Sequence, residues 1–117
     1  MEAAPALSSS LGRITISNEA VAQIVGHTVA ECYGVVGTAA RRRVGRLLAR
    51  GRPTQGVVVR DDRDGLVVEV HVVVEYGLKL AEVAATLRSR VQYEVERLTG
   101  LQVAAVEVHI RDVRRSA

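Results

Sequence analysis

The residues best suited to chemistry form one arginine-rich segment. No acidic residue lies between Glu31 and Asp61, whereas this stretch carries seven arginines. An arginine guanidinium is permanently charged and grips phosphate or carboxylate through two hydrogen bonds. A solvated linker is the competing interpretation, since no aromatic residue is interleaved for base stacking. The segment predicts contact with RNA, DNA, anionic lipid or a protein partner through Arg41, Arg42, Arg43, Arg46 and Arg50.

The remaining reactive side chains predict neither catalysis nor a metal site. His27 falls in a helical stretch, and His71 and His109 fall in strand-like stretches without the close spacing of metal-binding motifs. Cys32 lies on an apolar stripe, where cysteine usually acts as a small hydrophobe. No serine stands in the sharp-turn motif of hydrolases, and no phosphate-binding loop is present. We therefore expect a protein that is not an enzyme and needs no cofactor.

Composition predicts one small domain with an aliphatic core. The chain has 117 residues, 48% of them hydrophobic, with 22 valines, three tyrosines and no phenylalanine or tryptophan. This length suits a single domain, and valine favours strands. The single cysteine fits a reducing compartment. No apolar run approaches the roughly 20 residues of a membrane span, and no secretion signal opens the chain, so we expect a cytoplasmic protein.

The first half of the chain predicts a tail, a strand, a helix and a loop. Residues 1–11 are small and polar, which is typical of a flexible N-terminal tail. Alternation over residues 12–17 predicts a short strand, after which Ser17 or Asn18 can cap a helix that ends near Gly34. Residues 35–55 are rich in glycine, alanine and arginine and are punctuated by glycine and proline, so we expect a long loop there. Its arginine-rich part lies at about 38–55, and residues 46–50 can form a short helical turn within it.

The second half predicts three strands and a helix. Asp64-Gly65 is a strong hairpin signal between two valine-rich stretches. A later stretch has apolar residues at helical spacing, and the last element alternates as a strand before a short tail. These elements are strands at 56–60 and 66–76, a helix at 80–98, a strand at 106–111 and a C-terminal tail at 114–117.

The long strand at 66–76 has one apolar face and one mixed face. Its even-numbered residues are all apolar except the terminal tyrosine, whereas the odd-numbered ones mix valines with glutamates and a histidine. A mixed face can meet a partner. We therefore predict that exposed Val67 and Val73 on this face contribute to self-association.

The order of elements predicts the fold class. It runs strand, helix, strand, strand, helix, strand within a single domain over residues 12–113. Two amphipathic helices can cover one face of a four-stranded sheet, so we expect a two-layer α+β domain. A split βαβ topology and a KH-like arrangement both satisfy this order, because local patterns do not encode which strands are neighbours.

A series of short motifs follows the whole domain in a characteristic order. They are GRITIS at 12–17, VAQI at 21–24, GVVG at 34–37, VVEVHVVVEYG at 67–77, Val83-Ala84, LTG at 98–100 and VEVH at 106–109. The most telling feature is VVVEYG followed by a helix that ends in LTG. By these motifs the chain resembles the alkaline shock protein family, the small envelope stress response proteins of Gram-positive bacteria.

The resemblance implies a non-enzymatic role in the envelope stress response and in cell-envelope homeostasis. Proteins of this family are cytoplasmic, tend to self-associate, and in some cases are associated with the membrane through a membrane-anchored protein partner. We therefore predict a self-associating protein-interaction module without catalytic residues. RNA-binding regulation through the arginine-rich loop is the alternative function.

Overall fold

The core of the molecule is a four-stranded sheet with two helices packed on one of its faces. The computed structural model describes residues 6–39 and 55–115. The predicted class, a two-layer α+β domain with both helices on one face of a four-stranded sheet, is confirmed. In chain order the elements are β1 (Ala6–Ser9), β2 (Gly12–Thr15), α1 (Asn18–Ala30), β3 (Val35–Thr38), β4 (Val57–Asp62), β5 (Gly65–Glu75), α2 (Leu80–Thr99) and β6 (Val103–Arg114).

The sheet is built around β5. Along one edge β5 pairs antiparallel with β4 over its first half and with β3 over its second half. Along the other edge it pairs parallel with β6, from Leu66 to Glu75. Helix α2 thus joins two strands that are direct neighbours. The split βαβ topology considered from the sequence is therefore wrong, because it places another strand between the two that the helix joins.

Strands β3 and β4 lie end to end along β5 and meet at His71. The N–H of Ala39, just after β3, donates to the His71 carbonyl at 2.8 Å. The His71 N–H donates to the carbonyl of Gly56, just before β4, also at 2.8 Å. The chain therefore leaves the sheet after β3 and returns to it before β4 beside the same residue, His71. The segment between, residues 40–54, lies outside the described residues and contains most of the loop predicted at 38–55.

The two helices pack their apolar stripes on the valines of β5. The Ser17 hydroxyl oxygen accepts a 3.0 Å hydrogen bond from the Ala20 N–H and caps α1, as expected. Each fully buried aliphatic side chain contributes about 1.5–3 kcal/mol to folding. The central core side chains are Val21, Val25 and Val29 of α1, Val83, Leu87, Val91 and Val95 of α2, and Leu66, Val68, Val70, Val72 and Val74 of β5.

Two strands differ from the sequence-based prediction. The strand expected at residues 12–17 is present as β2, but within the described residues it pairs with β1 in a separate hairpin. The fourth strand of the sheet is β3, which falls in a stretch predicted to be a loop. Alternation indicates a strand without indicating its partner, and β3 has only four residues, one of them glycine.

Both predicted tails are partly ordered into strands. Residues 6–9, assigned to the flexible N-terminal tail, form β1. Their sequence carries no strand signal, and it is the backbone pairing with β2 that makes them a strand. At the other end β6 continues to Arg114, and the Tyr76 N–H donates to the Arg114 carbonyl at 2.8 Å. Strands β1 and β6 thus include residues on either side of 12–113.

Candidate functional site

The arginines singled out by the sequence fall outside the part of the chain that the structure describes. Arg41, Arg42, Arg43, Arg46 and Arg50 all lie within residues 40–54. Contact of these side chains with an anion or a partner therefore stays a prediction. The described residues do fix where this segment begins and ends, which is at the middle of the sheet edge beside His71.

Val67 and Val73 are buried and do not form an exposed surface. Their side chains lie on the face of β5 that points away from the helices, and only 6% and 7% of their surfaces are accessible. Because β5 is central, strands flank both valines: Val67 lies between Arg60 and Ala105, and Val73 lies between Gly37 and Asp112. The expectation that these valines are exposed is wrong for this reason. Self-association itself stays a prediction.

An open cleft lies where α1 ends and β3 begins. It has a volume of about 430 Å³ and is lined by Tyr33, Gly34, Val35, Val36, Glu75 and Leu78. Gly34 has a φ of +89° and turns the chain from α1 into β3, and the Glu75 N–H donates to the Gly34 carbonyl at 2.8 Å, which joins this turn to the end of β5. We call the apolar part of this surface, Tyr33, Val35, Val36 and Leu78, the cleft patch.

All three aromatic side chains of the protein lie on its surface. Tyr33 is 79% exposed, Tyr93 is 61% exposed and Tyr76 is 57% exposed, while the core is aliphatic. The Tyr76 ring lies 4.6 Å below the guanidinium of Arg115. Tyr33 stands at the cleft patch beside Val36, which is also exposed. Aromatic residues contribute strongly to protein interfaces, so their placement outside the core favours a binding role for this surface.

A polar cluster lies on the face of the sheet opposite α1 and α2. The parallel pairing of β5 and β6 sets Glu69 beside Glu107 and His71 beside His109. The two imidazole rings stack with centroids 4.8 Å apart, at an angle of 13°. Glu69 Oε2 lies 2.6 Å from Nε2 of His71, whose side chain is buried. The structure thus brings together two histidines that the sequence placed on strands of unknown relative position.

Arg60 of β4 completes this cluster. Its guanidinium lies 3.5 Å from Glu69 Oε1 and 3.7 Å from Glu107 Oε2. With neutral histidines the five side chains carry a net charge of −1, from two carboxylates and one guanidinium. The cluster can bind a cation or a proton through its imidazole and carboxylate atoms. The sequence contains a sign of this cluster, since VEVH occurs twice, at 68–71 and at 106–109. In the structure the two copies pair with each other residue by residue.

Cys32, two positions beyond the end of α1, is a core residue, as its place on the predicted apolar stripe indicates. Its side chain is buried, and its Sγ donates to the Thr28 carbonyl at 3.3 Å. Burial raises the pKa of the Cys32 thiol, an effect that the nearby Arg90 opposes. A nucleophilic cysteine needs an accessible, stabilised thiolate, and this thiol has neither property.

Among the described residues, no helix combines the length and the apolar character of a membrane span.

A model of the alkaline shock protein family, which is described as having a cell envelope-related function, matches residues 6–115. The match covers every described residue, including β1 and the end of β6.

Similar proteins of comparable length occur in Bacillus subtilis and Streptococcus pyogenes. The chain is 32% identical to the uncharacterized protein YloU of Bacillus subtilis over 112 residues, which are 92% of this chain and 93% of the relative. It is 32% identical to the uncharacterized protein Spy1614 of Streptococcus pyogenes over 107 residues, 88% of each chain. Identity to the uncharacterized protein YqhY of Bacillus subtilis is 26% over 102 residues, 86% of this chain and 76% of the relative.

The fold is similar to that of solved structures of MamM CTD variants. Three of them align with TM-scores of 0.50 to 0.51 at 14–15% sequence identity. The alignments cover 80% of this chain and 93–95% of the MamM CTD chains. At this level of identity the similarity concerns the fold alone.

Proposed function

We propose that this chain, which belongs to the alkaline shock protein family with its cell envelope-related function, acts as a non-catalytic protein-interaction module that self-associates through the cleft patch. It works on the cytoplasmic side of the envelope, in the response to envelope stress. Its contact with the envelope passes through a membrane-anchored protein partner. RNA binding through the arginines of residues 40–54 is the alternative function, and no described residue favours it.

The exposed aromatic residue beside the cleft is the observation that carries this function. In a chain without phenylalanine or tryptophan, tyrosine is the largest aromatic side chain that the aliphatic core could bury. Tyr33 is instead 79% exposed, and it adjoins a cleft with apolar walls formed by Val36 and Leu78. A protein–protein contact would bury this side chain and remove the apolar walls from water.

A second copy of the chain is the partner that this geometry fits. In a two-fold symmetric dimer the same patch faces itself, so the patch must carry both a projection and a cavity. The cleft patch carries both, since Tyr33 projects at the rim of a cleft of about 430 Å³. Tyr33 of each copy can enter the cleft of the other, where Val36 and Leu78 contact its ring.

The molar mass in solution tests self-association. We expect light scattering to give a mass above the 12.6 kDa of one chain, rising with protein concentration. The double variant Tyr33→Ser, Val36→Ser removes the exposed apolar atoms and should shift the mass toward the monomer. Tyr93→Ser is the matched control, because Tyr93 is also exposed but lies away from the cleft. Val83 of α2 packs beside Gly34 at the cleft, and Tyr93 lies ten residues further along this helix, about 15 Å away. A wild-type mass of one chain at all concentrations, or a double variant that keeps the wild-type mass, would contradict the proposal.

The route to the envelope has a separate test. Vesicles of native membrane lipid without protein should leave the chain in the supernatant, and membranes that retain their proteins should sediment it. Protease treatment of those membranes should release it. Equal sedimentation with protein-free vesicles would mean that lipid is the partner, and the membrane-anchored protein would be excluded.

A further inference from the structure

We infer that Glu69, His71 and His109 form a binding site for one divalent transition-metal ion, with Zn²⁺ the preferred class. One ligand atom from each side chain lies within 4.8 Å of the other two. The set of two imidazoles and one carboxylate is a ligand combination that zinc accepts in proteins. This site is separate from the cleft patch and from the proposed self-association.

The distances are close to those that metal coordination requires. Tetrahedral zinc with bonds of about 2.0–2.1 Å holds its ligand atoms about 3.4 Å apart. Glu69 Oε2 lies 2.6 Å from His71 Nε2 and 4.0 Å from His109 Nε2. Side-chain rotations that lengthen the first distance, shorten the second and tilt the two stacked rings toward each other would place an ion between the three ligand atoms.

The backbone that carries these ligands is rigid and in register. Glu69 and His71 are on the central strand, and His109 is directly beside His71 on the neighbouring strand. The Nε2 atoms of both rings lie within 4.0 Å of Glu69 Oε2, so each ring turns the same nitrogen toward the carboxylate. Ligands on paired strands are held more precisely than ligands on loops, so little ordering is needed when an ion binds.

Packing alone does not explain why a histidine is buried at position 71. Its side chain is buried, with only 3% of the residue exposed, yet its Nδ1 atom has no hydrogen-bond partner. Buried polar atoms without a partner are uncommon and reduce stability. The neighbouring positions on the same face of β5 include the buried valines Val67 and Val73, so the sheet can accommodate an apolar residue here. The unpartnered Nδ1 is a cost that a valine would avoid, and coordination through the other nitrogen, Nε2, is a role that a valine could not serve.

Among the described side chains of the cluster, two carboxylates outnumber one guanidinium, which favours a cation. Arg60 contacts Glu69 at Oε1 and leaves Oε2 directed at the histidine, so it orients the carboxylate without occupying the ligand position. Glu107 adds a second carboxylate on the other side of Arg60. Three protein ligands leave a fourth coordination position for water. The exposed side of His109 gives an ion access from solvent.

Cobalt(II) binding to the full, tag-free chain tests this site. Four-coordinate Co²⁺ absorbs strongly in the visible range, and Zn²⁺ should displace it and remove the colour. We expect one ion per chain and a loss of affinity of about 100-fold or more in His109→Gln, beyond the 10–100-fold that substitutions outside the ligand set produce. His27→Gln is the matched control, since His27 is an exposed histidine on α1.

The design separates metal binding from folding. His109 is exposed, so its substitution should leave the circular dichroism spectrum unchanged. Glu69→Gln keeps the shape of the side chain while removing its charge, and it should also weaken the Co²⁺ affinity. The inference is overturned if wild type shows no four-coordinate spectrum, or if His27→Gln weakens binding as much as His109→Gln does.

Discussion

Replacing Gly34 by alanine should destabilise the fold through two separable effects. Its φ of +89° is a conformation that residues with a Cβ rarely adopt, and this strain is about 1–2 kcal/mol. A Cβ at this position would also lie 2.8 Å from Leu78 Cδ1 and 3.1 Å from Val83 Cγ2. Because Leu78 Cδ1 is the end of a flexible side chain that can move aside, crowding adds about 1 kcal/mol, the low end of the cost of an overpacked site. The expected loss is therefore about 2–3 kcal/mol in the free energy of unfolding.

Alanine substitutions at two other glycines separate the backbone strain from the crowding. Gly77 has a φ of +100°, but no atom lies within 4 Å of an added Cβ, so Gly77→Ala should show the strain alone, which is about 1–2 kcal/mol. Gly37 lies in β3, has no left-handed φ and has no atom within 4 Å of an added Cβ. Gly37→Ala should therefore be neutral or stabilising by about 0.4–1 kcal/mol.

Equilibrium unfolding in urea measures all three variants. The chain has no tryptophan, so far-UV circular dichroism is the suitable signal. Each curve should be recorded at several protein concentrations, because self-association would make stability depend on concentration. The predicted order of destabilisation is Gly34→Ala, then Gly77→Ala, then Gly37→Ala. Equal losses at Gly34 and Gly77 would refute the crowding by Leu78 and Val83, and a loss at Gly37 as large as at Gly34 would refute the whole reasoning.

Three further predictions concern buried and capping residues. Leu87→Ala should lower the free energy of unfolding by about 2–5 kcal/mol, because Leu87 is fully buried, whereas exposed Leu98 on the same helix should tolerate alanine; urea unfolding compares the two. Ser17→Ala should lower the free energy of unfolding by about 1 kcal/mol, because the cap of α1 is lost; urea unfolding detects this change too. Burial raises the pKa of the Cys32 thiol, so a thiol reagent should modify it much faster in the unfolded chain. The stability that this raised pKa contributes is present at neutral pH and is lost as pH rises through the folded-state pKa.

The strongly periodic elements were predictable because their signal is local. The helix expected at 80–98 is α2 at Leu80–Thr99, and the strand expected at 66–76 is β5 at Gly65–Glu75. Both are long, with apolar residues at one clear spacing. In contrast, β3 is too short for a pattern, and the only strand feature of β1 is its backbone pairing with β2.

Contacts between distant parts of the chain were not predictable from local patterns. Val67 and Val73 have the spacing of an exposed face, but they are buried because their strand is central in the sheet. His71 and His109 become neighbours only through the parallel register of β5 and β6. Repetition of VEVH was the one available sign of this register. The cleft beside Tyr33 depends on how α1, β3 and β5 meet, which no single segment encodes.

Hydrogen exchange at low and high protein concentration tests the central claim most directly. If the chain self-associates through the cleft patch, backbone amides of residues 33–36 and 75–78 should become more protected as concentration rises. Amides around Tyr93 in the second half of α2 should not change, since that exposed tyrosine lies away from the cleft. Protection that rises at residues 33–36 together with 75–78 supports the account. A wild-type chain that shows no concentration-dependent protection there, or shows it only elsewhere, contradicts it.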